Sequence, residues 1–256
     1  FMGVGFFRPH YPMVAPKKFF DMYPLEKMKV PPLIEGDLDD IPRAAYGIQN
    51  GELLNKTENG RRGMWQAYYA SVTFMDEQLG KVLDELDRQG LTDSTAIVFT
   101  TDHGYHLGEH GFWQKGNLHE EVTRVPFMIR TPGLKPGRTN SLAELVDFYP
   151  TCLDLLGLSQ PKEIVGKSLL PILEKPNTQV RDTALSLHNR KKHVKNKGCA
   201  IRATNWTYMN YGDQGEVFYD MVKDPGQYTN LIDNPDYAEN VRKAREQLSQ
   251  RLQQVQ

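Results

Sequence analysis

The densest run of chemically able side chains is Thr101 to Lys115, TDHGYHLGEHGFWQK. Asp102 supplies a hard anionic oxygen and His103 an imidazole nitrogen, a pair able to bind a divalent cation, and Gly104 permits a sharp turn beside it. The same three residues also suit a capped, hydrogen-bonded turn without a metal. His103, His106, His110 and Glu109 are ordinary zinc ligands and offer a second metal reading. The interleaved Gly104, Gly108 and Gly111 argue against it, because they disfavour a helix that would bring two histidines to one face. Lys115 reads either as a point charge for an anionic group or as a solvated surface lysine.

These residues need elements to hold them. Thr95 to Thr101 is short, β-branched and bounded by turn residues, which predicts a buried strand, and Val125 to Arg130 predicts another. The polar run therefore follows directly on a strand end, where ligands bind in open α/β sheets. From Arg62 to Arg88, apolar residues at Trp65, Tyr68, Val72, Met75, Leu79, Val82 and Leu86 recur at helical spacing, with Gly90 as the stop. Asp147 to Leu156 predicts a helix with Asp147 near its N-cap, Pro150 in the first turn and Gly157 beyond the end. Phe1 to Phe7 reads as a buried strand entering the loop Arg8-Pro9-His10-Tyr11-Pro12, so the chain reads as lacking a preceding N-terminal portion. Lys17 to Arg61 is aperiodic and reads as a long excursion or lid, with Asp39-Asp40 as a solvated turn.

Alternating strands and helices place the chain in the α/β class, with residues 1–182 as part of one large domain. Residues 183–256 predict a small subdomain: strand-like stretches at Cys199 to Tyr211 and Glu216 to Met221, and an amphipathic helix from Pro235. The run His188 to Lys197 is basic and loop-like, either a solvated segment or a guide for an anionic polymer. Trp113 reads equally as core or as a sugar-stacking wall, and the sequons at Asn55 and Asn205 arise readily by chance.

Composition excludes several classes. The 256 residues carry 31 basic and 32 acidic side chains, so there is no overall basic field for nucleic acid or an anionic membrane surface. No apolar run approaches the roughly 18 residues needed to span a bilayer. Two cysteines exclude a disulfide-stapled fold and a cysteine-rich zinc module. Cys152 lies on an apolar helical stripe and reads as a packed core thiol.

Three segments in order, VGFFRPHYP, TTDHGYHLGEHGFWQKGNLHEEVTRVPFMIRTPG and FYDMVKDPGQYTNL, resemble the type I sulfatases of the alkaline phosphatase superfamily, in particular the iduronate-2-sulfatase-like branch. The resemblance spans nearly the whole chain. It implies a partial sulfatase sheet flanked by helices, plus a small C-terminal antiparallel sheet with one packed helix. By the same resemblance Asp102 and His103 match ligands of a calcium site, Lys115 the lysine on the sulfate group, and His10 the histidine that assists the leaving oxygen. Arg8 stands where iduronate sulfatases tend to have lysine and is a candidate substrate contact. Tyr105 and His106 are candidates for substrate selection. The resemblance implies sulfuric ester hydrolysis of a sulfated sugar, with a 2-sulfated uronate as the form the iduronate-2-sulfatase-like branch suggests, in a periplasmic, secreted or lysosomal setting.

The chain departs from the family pattern at the nucleophile. Sulfatases use a formylglycine made from cysteine in Cys-x-Pro/Ala-x-Arg, preceded by a paired-Asp metal motif, and neither Thr-Cys152-Leu nor Gly-Cys199-Ala fits. Calcium tolerates one histidine only among several carboxylates, and none is evident near Asp102. The expectation is that formylglycine and the remaining ligands belong to an N-terminal segment or chain, and that this chain alone is inactive. A phosphoester hydrolase of the same superfamily, and a catalytically incomplete fragment that binds anionic glycans, are the competing readings.

Overall fold

The computed structural model describes residues 1–49, 57–188 and 198–255. In chain order its main elements are α1 (Lys17–Phe20), α2 (Glu58–Arg88), β1 (Ile97–Thr100), β2 (His106–Leu107), β3 (Trp113–Gln114), α3 (Glu120–Thr123), β4 (Phe127–Arg130), α4 (Phe148–Leu155), α5 (Leu170–Glu174), β5 (Ala184–His188), β6 (Gly198–Arg202), β7 (Trp206–Asn210), β8 (Glu216–Asp220) and α6 (Ala238–Gln253). They fall into two compact units. The first comprises Phe1–Ile34, Ile48–Thr95 and His106–Gln114; the second comprises Glu35–Gly47, Ala96–Tyr105 and Lys115–Gln256.

The first unit is built on α2. Thr57 caps it by accepting from the Gly60 N–H at 3.0 Å, and Gly90 leaves it at φ +68°, a conformation that costs glycine little. The helix forms where the period predicts, but its aromatic contacts use residues the period did not single out: Phe74 packs on Phe19 of α1 at 5.3 Å between ring centroids, and Tyr69 on Tyr23 at 5.5 Å. Trp65 Nε1 donates to the Leu107 carbonyl at 2.5 Å, tying α2 to the β2–β3 hairpin. Trp113 is fully buried and its N–H donates to Ile48, so it is core and not a sugar platform.

In the second unit β1 and β4 pair antiparallel, Ile97 opposite Arg130, at the positions the sequence predicts. β5 to β8 form an antiparallel meander in sequential order. The two-residue period divides its side chains cleanly. Ile201, Tyr208 and Phe218 face Val241, Ala244 and Leu248 of α6, whereas Ala200, Met209, Val217 and Tyr219 pack with Ile41, Ala45 and Leu118. The expected small sheet with one packed helix is present. Its core is not confined to residues 183–256, because Ile41, Ala45 and Leu118 belong to it, and the Leu185 N–H donates to Glu144 Oε1 at 2.6 Å.

Three expectations need correction. Phe1 to Phe7 forms no strand among the described residues, and Phe1, Met2, Val4 and Phe7 are exposed. Apolar content does not make a strand without a partner to take its backbone hydrogen bonds. Lys17 to Arg61 is not an excursion: Phe19, Met28 and Arg61 are buried in the first unit, and Ile41 and Ala45 in the second. Short turns set by Pro16, Pro24 and Pro42, not a period, fix these side chains, so periodicity could not reveal them. Cys199 to Tyr211 is two strands, and the turn between them is closed by the Ala203 N–H donating to the Trp206 carbonyl at 2.9 Å. Asp40 is exposed as expected, but its carboxylate and carbonyl each hold Asn230 at 2.8 Å. Residues 189–197 of the basic run, and Asn55 and Lys56 of the first sequon, lie outside the described residues. Among the described residues no helix is long and apolar enough to cross a membrane.

Candidate functional site

Thr101 to Gly104 follows β1 and turns on its own hydroxyls. Thr100 Oγ1 donates to the Pro126 carbonyl at 3.0 Å, anchoring the strand end to the segment entering β4, and Thr101 Oγ1 reaches Asp102 Oδ1 at 3.4 Å. The Asp102 side chain is 85% exposed and that of His103 30%. His103 Nδ1 lies 2.7 Å from the Gly104 carbonyl. A carbonyl only accepts, so Nδ1 carries the proton, and Nε2 of the neutral ring holds a lone pair. That lone pair lies 3.7 Å from Asp102 Oδ1. Two acceptor atoms held this close suit a shared cation, and a metal-binding histidine commonly donates its other ring N–H to a carbonyl, which fixes its tautomer. The donor set fits one side of a metal shell. Among the described residues no group of three or more His, Cys, Asp or Glu is arranged to hold an ion.

The loop is pinned from behind. The Gly104 N–H donates to the Val122 carbonyl of α3 at 2.8 Å, and a Cβ at Gly104 would overlap the Glu121 carbonyl oxygen. Only glycine permits that approach. Tyr105, the next residue, is half-buried. Lys115 belongs to the same unit, is half-buried, and makes no hydrogen bond or ion pair with a described residue.

Arg8 and His10 lie together on a loop of the first unit. The His10 N–H donates to the Phe7 carbonyl at 3.0 Å, and its Nδ1 lies 2.6 Å from the Tyr11 carbonyl. Nδ1 is again the protonated nitrogen, which leaves Nε2 of an exposed ring for proton exchange. Arg8 braces this loop: its Nε donates to the Val14 carbonyl at 2.8 Å and its guanidinium lies 5.1 Å from the Phe7 ring centroid. These bonds give Arg8 a part in holding the loop, beside its candidacy as a substrate contact.

His106 is corrected as a substrate-selecting residue. Its side chain has no exposed surface, its ring meets Phe112 edge-on at 5.5 Å, and it packs within the β2–β3 hairpin. The local zinc reading fails as well. His106 and His110 have centroids 6.4 Å apart, and the Glu109 carboxylate accepts from the Leu107 N–H at 2.6 Å, which closes the turn. Cys152, on α4, is half-buried, and burial pushes its thiol pKa up, as for a packed thiol.

The sequence reading missed α3 as the support under Gly104. Its helical residues, EEVT, number only four, too few for any period to register.

Comparison with known proteins identifies the family. The family model described as sulfatase matches residues 1–158, and that described as N-sulphoglucosamine sulphohydrolase, C-terminal, matches residues 108–255. A sulfatase of Formosa agariphila is 36% identical over 241 residues, covering 91% of this chain and 46% of that protein. Human iduronate 2-sulfatase is 33% identical over 201 residues, covering 63% and 36%. It is one of several relatives at similar identity. Among solved structures, BT4656 in complex with D-glucosamine-2-N,6-O-disulfate superposes with a TM-score of 0.72 at 31% identity, over 80% of this chain and 44% of that one. A phosphonate monoester hydrolase from Silicibacter pomeroyi superposes at 0.85 and 25% identity, over 96% and 55%. The chain spans about half the length of the curated relatives it matches. With two family models each covering more than half of it, and the α/β fold and motif order in agreement, the chain belongs to the sulfatase family.

Proposed function

We propose that the protein hydrolyses sulfate esters of a sugar, with Asp102 and His103 contributing to a divalent cation site for which calcium is the fitting ion. The observation that carries this reading is the pairing of the Asp102 carboxylate with a His103 ring whose tautomer is fixed, on a loop of a sulfatase-family chain. Water adds across a sulfur–oxygen bond: its oxygen ends on sulfur, and a proton must reach the departing sugar oxygen. His10, with Nδ1 committed to the Tyr11 carbonyl, is proposed to deliver that proton from Nε2 as general acid. Lys115 is proposed to neutralise a sulfate oxygen as a point charge. A cation bound at Asp102 and His103 would stabilise charge on the sulfate oxygens. The formylglycine nucleophile of the family has no counterpart at Cys152 or Cys199, so the proposal assigns it and the remaining ligands to residues outside these 256. Sulfated glucosamine or a 2-sulfated uronate is the proposed substrate class, supported by what BT4656 and the iduronate sulfatases act on, and an extracytoplasmic setting is proposed with it.

A second reading, phosphonate or phosphate ester hydrolysis, is favoured by the superposition on the phosphonate monoester hydrolase. Full-length protein assayed against a sulfated glucosamine, a 2-sulfated uronate and a phosphonate monoester separates the two. Sulfate release that falls about 100-fold in His10→Ala and in Lys115→Ala is expected, within the range general acids supply. Turnover of the phosphonate with inert sulfate esters would overturn the proposal.

A further inference from the structure

The segment FYDMVKDPGQYTNL resembles the family without an evident role, and its fold is unusually constrained. Asp220 Oδ1 accepts from the Val222 and Lys223 N–H groups at 3.0 and 3.1 Å. Asp224 Oδ2 accepts from Tyr228 and Thr229 at 2.7 and 2.8 Å. Asn230 ties the far end to Phe218 at 3.0 Å and to Asp40. At the centre Gln227 is held at φ +60°, a left-handed conformation uncommon for a residue with a side chain, and is 2% exposed. Its Oε1 accepts from the Glu120 N–H at 2.7 Å, across 107 residues of sequence.

Glu120 is the first residue of α3, and its N–H is one of the donors a helix start leaves without an internal partner. Gln227 satisfies it. The other end of this short helix presents the Val122 carbonyl to the Gly104 N–H, one residue from His103 and two from Asp102. Glu120 is further held by Arg202 of β6 at 3.0 Å, so the turn is fixed to the sheet as well.

We infer that Gln227 is a positioning residue for the Asp102–His103 loop, acting through the first N–H of α3 and the Val122–Gly104 hydrogen bond. The inference rests on the sulfatase reading for its functional meaning, but not for its geometry. Without the Gln227 acceptor the turn loosens at Glu120, the Val122 carbonyl loses its fixed direction, and the two candidate ligands lose their register.

The test uses the full-length protein with Gln227→Leu, which keeps the bulk and removes the acceptor, and Gln227→Glu, which keeps an acceptor at a helix start where negative charge is favoured. Amide hydrogen exchange at Gly104 and calcium affinity by calorimetry are the readouts, taken well below each variant's melting temperature. In Gln227→Leu, exchange at Gly104 should rise about tenfold through local opening, and calcium should bind about tenfold more weakly, as when outer-shell support is lost. Gln227→Glu should restore both. Wild-type exchange at Gly104 in the leucine variant, or failure of the glutamate variant to the same extent, overturns the inference. If the wild-type protein binds no calcium, the cation reading fails, and the exchange measurement still decides the role of Gln227.

Discussion

His103 Nε2 stands 3.7 Å from Asp102 Oδ1 while its Nδ1–H is committed to the Gly104 carbonyl at 2.7 Å. The ring cannot rotate its lone pair away from the carboxylate without giving up that hydrogen bond. Asp102→Asn and His103→Ala should therefore each weaken calcium binding by at least about tenfold, the loss that outer-shell changes alone can produce. Calorimetric titration of the full-length protein checks this, and unchanged affinity in both variants would remove these residues from the metal site.

Gly104→Ala tests how the loop is seated. The added methyl group meets the Glu121 carbonyl, a backbone atom that cannot swing aside as a side chain would. Overpacking of this kind costs about 1–3 kcal/mol, so denaturant midpoints should fall by a corresponding amount. A neutral substitution would mean that α3 yields freely under the loop.

The parts of the fold legible in the sequence are those whose cause is local. The spacing of Trp65, Tyr68, Val72 and Met75 with Gly90 at the end predicts α2, which extends only four residues further toward the N-terminus than Arg62. Asp147 reads correctly at the head of α4, because a carboxylate beside Pro150 is a local signal. Its larger role is not local: its carboxylate binds the Glu144 and Lys167 N–H groups, both at 2.8 Å, and Arg181. Gln227 illustrates the same limit, since no nearby residue hints at a partner 107 positions away. His106 misled for the opposite reason. Its neighbours in sequence, Asp102 and His103, are polar and partly exposed, but a two-residue strand turns its ring inward.

Two groups beside Arg245, in the middle of α6, predict opposing pH limits on stability. Burial, then the hydrogen bond to Glu216, pushes the Tyr208 hydroxyl up to about 12. An unfolded tyrosine ionises near 10, so the fold keeps a proton the unfolded chain has lost, and stability present below about pH 10 declines as pH rises from there. Tyr219, raised well above its ordinary value by burial and then by nearby Asp40, adds to the same alkaline decline. For Glu216 burial acts upward, but donors from Arg245 and Tyr208 outweigh it and hold the carboxyl below its usual range. That contribution is present above the unfolded glutamate value and is lost as pH falls through the lowered one. Chemical denaturation across pH should show a shallower alkaline limb in Tyr208→Phe and a shallower acid limb in Arg245→Met. Unaltered limbs would show that other groups set them.

The buried charges around Arg181 carry the largest predicted stability effect. Arg181 is 1% exposed and pairs with Glu144 at 2.8 Å and with Asp147, itself fully buried. Arg251 completes the group by pairing with Glu144 at 2.5 Å from α6, and it is 13% exposed. Arg181→Met leaves two buried carboxylates facing one remaining guanidinium, and removing one partner of a buried pair costs about 3–5 kcal/mol. Arg251→Met should cost less, because Glu144 keeps Arg181 and the Leu185 N–H, and the lost arginine was nearer to water. Denaturant unfolding of the two variants should rank them in that order. If Arg181→Met costs no more than Arg251→Met, the carboxylates have found water or protons on losing Arg181, and the cluster is not the buried lock that its geometry describes.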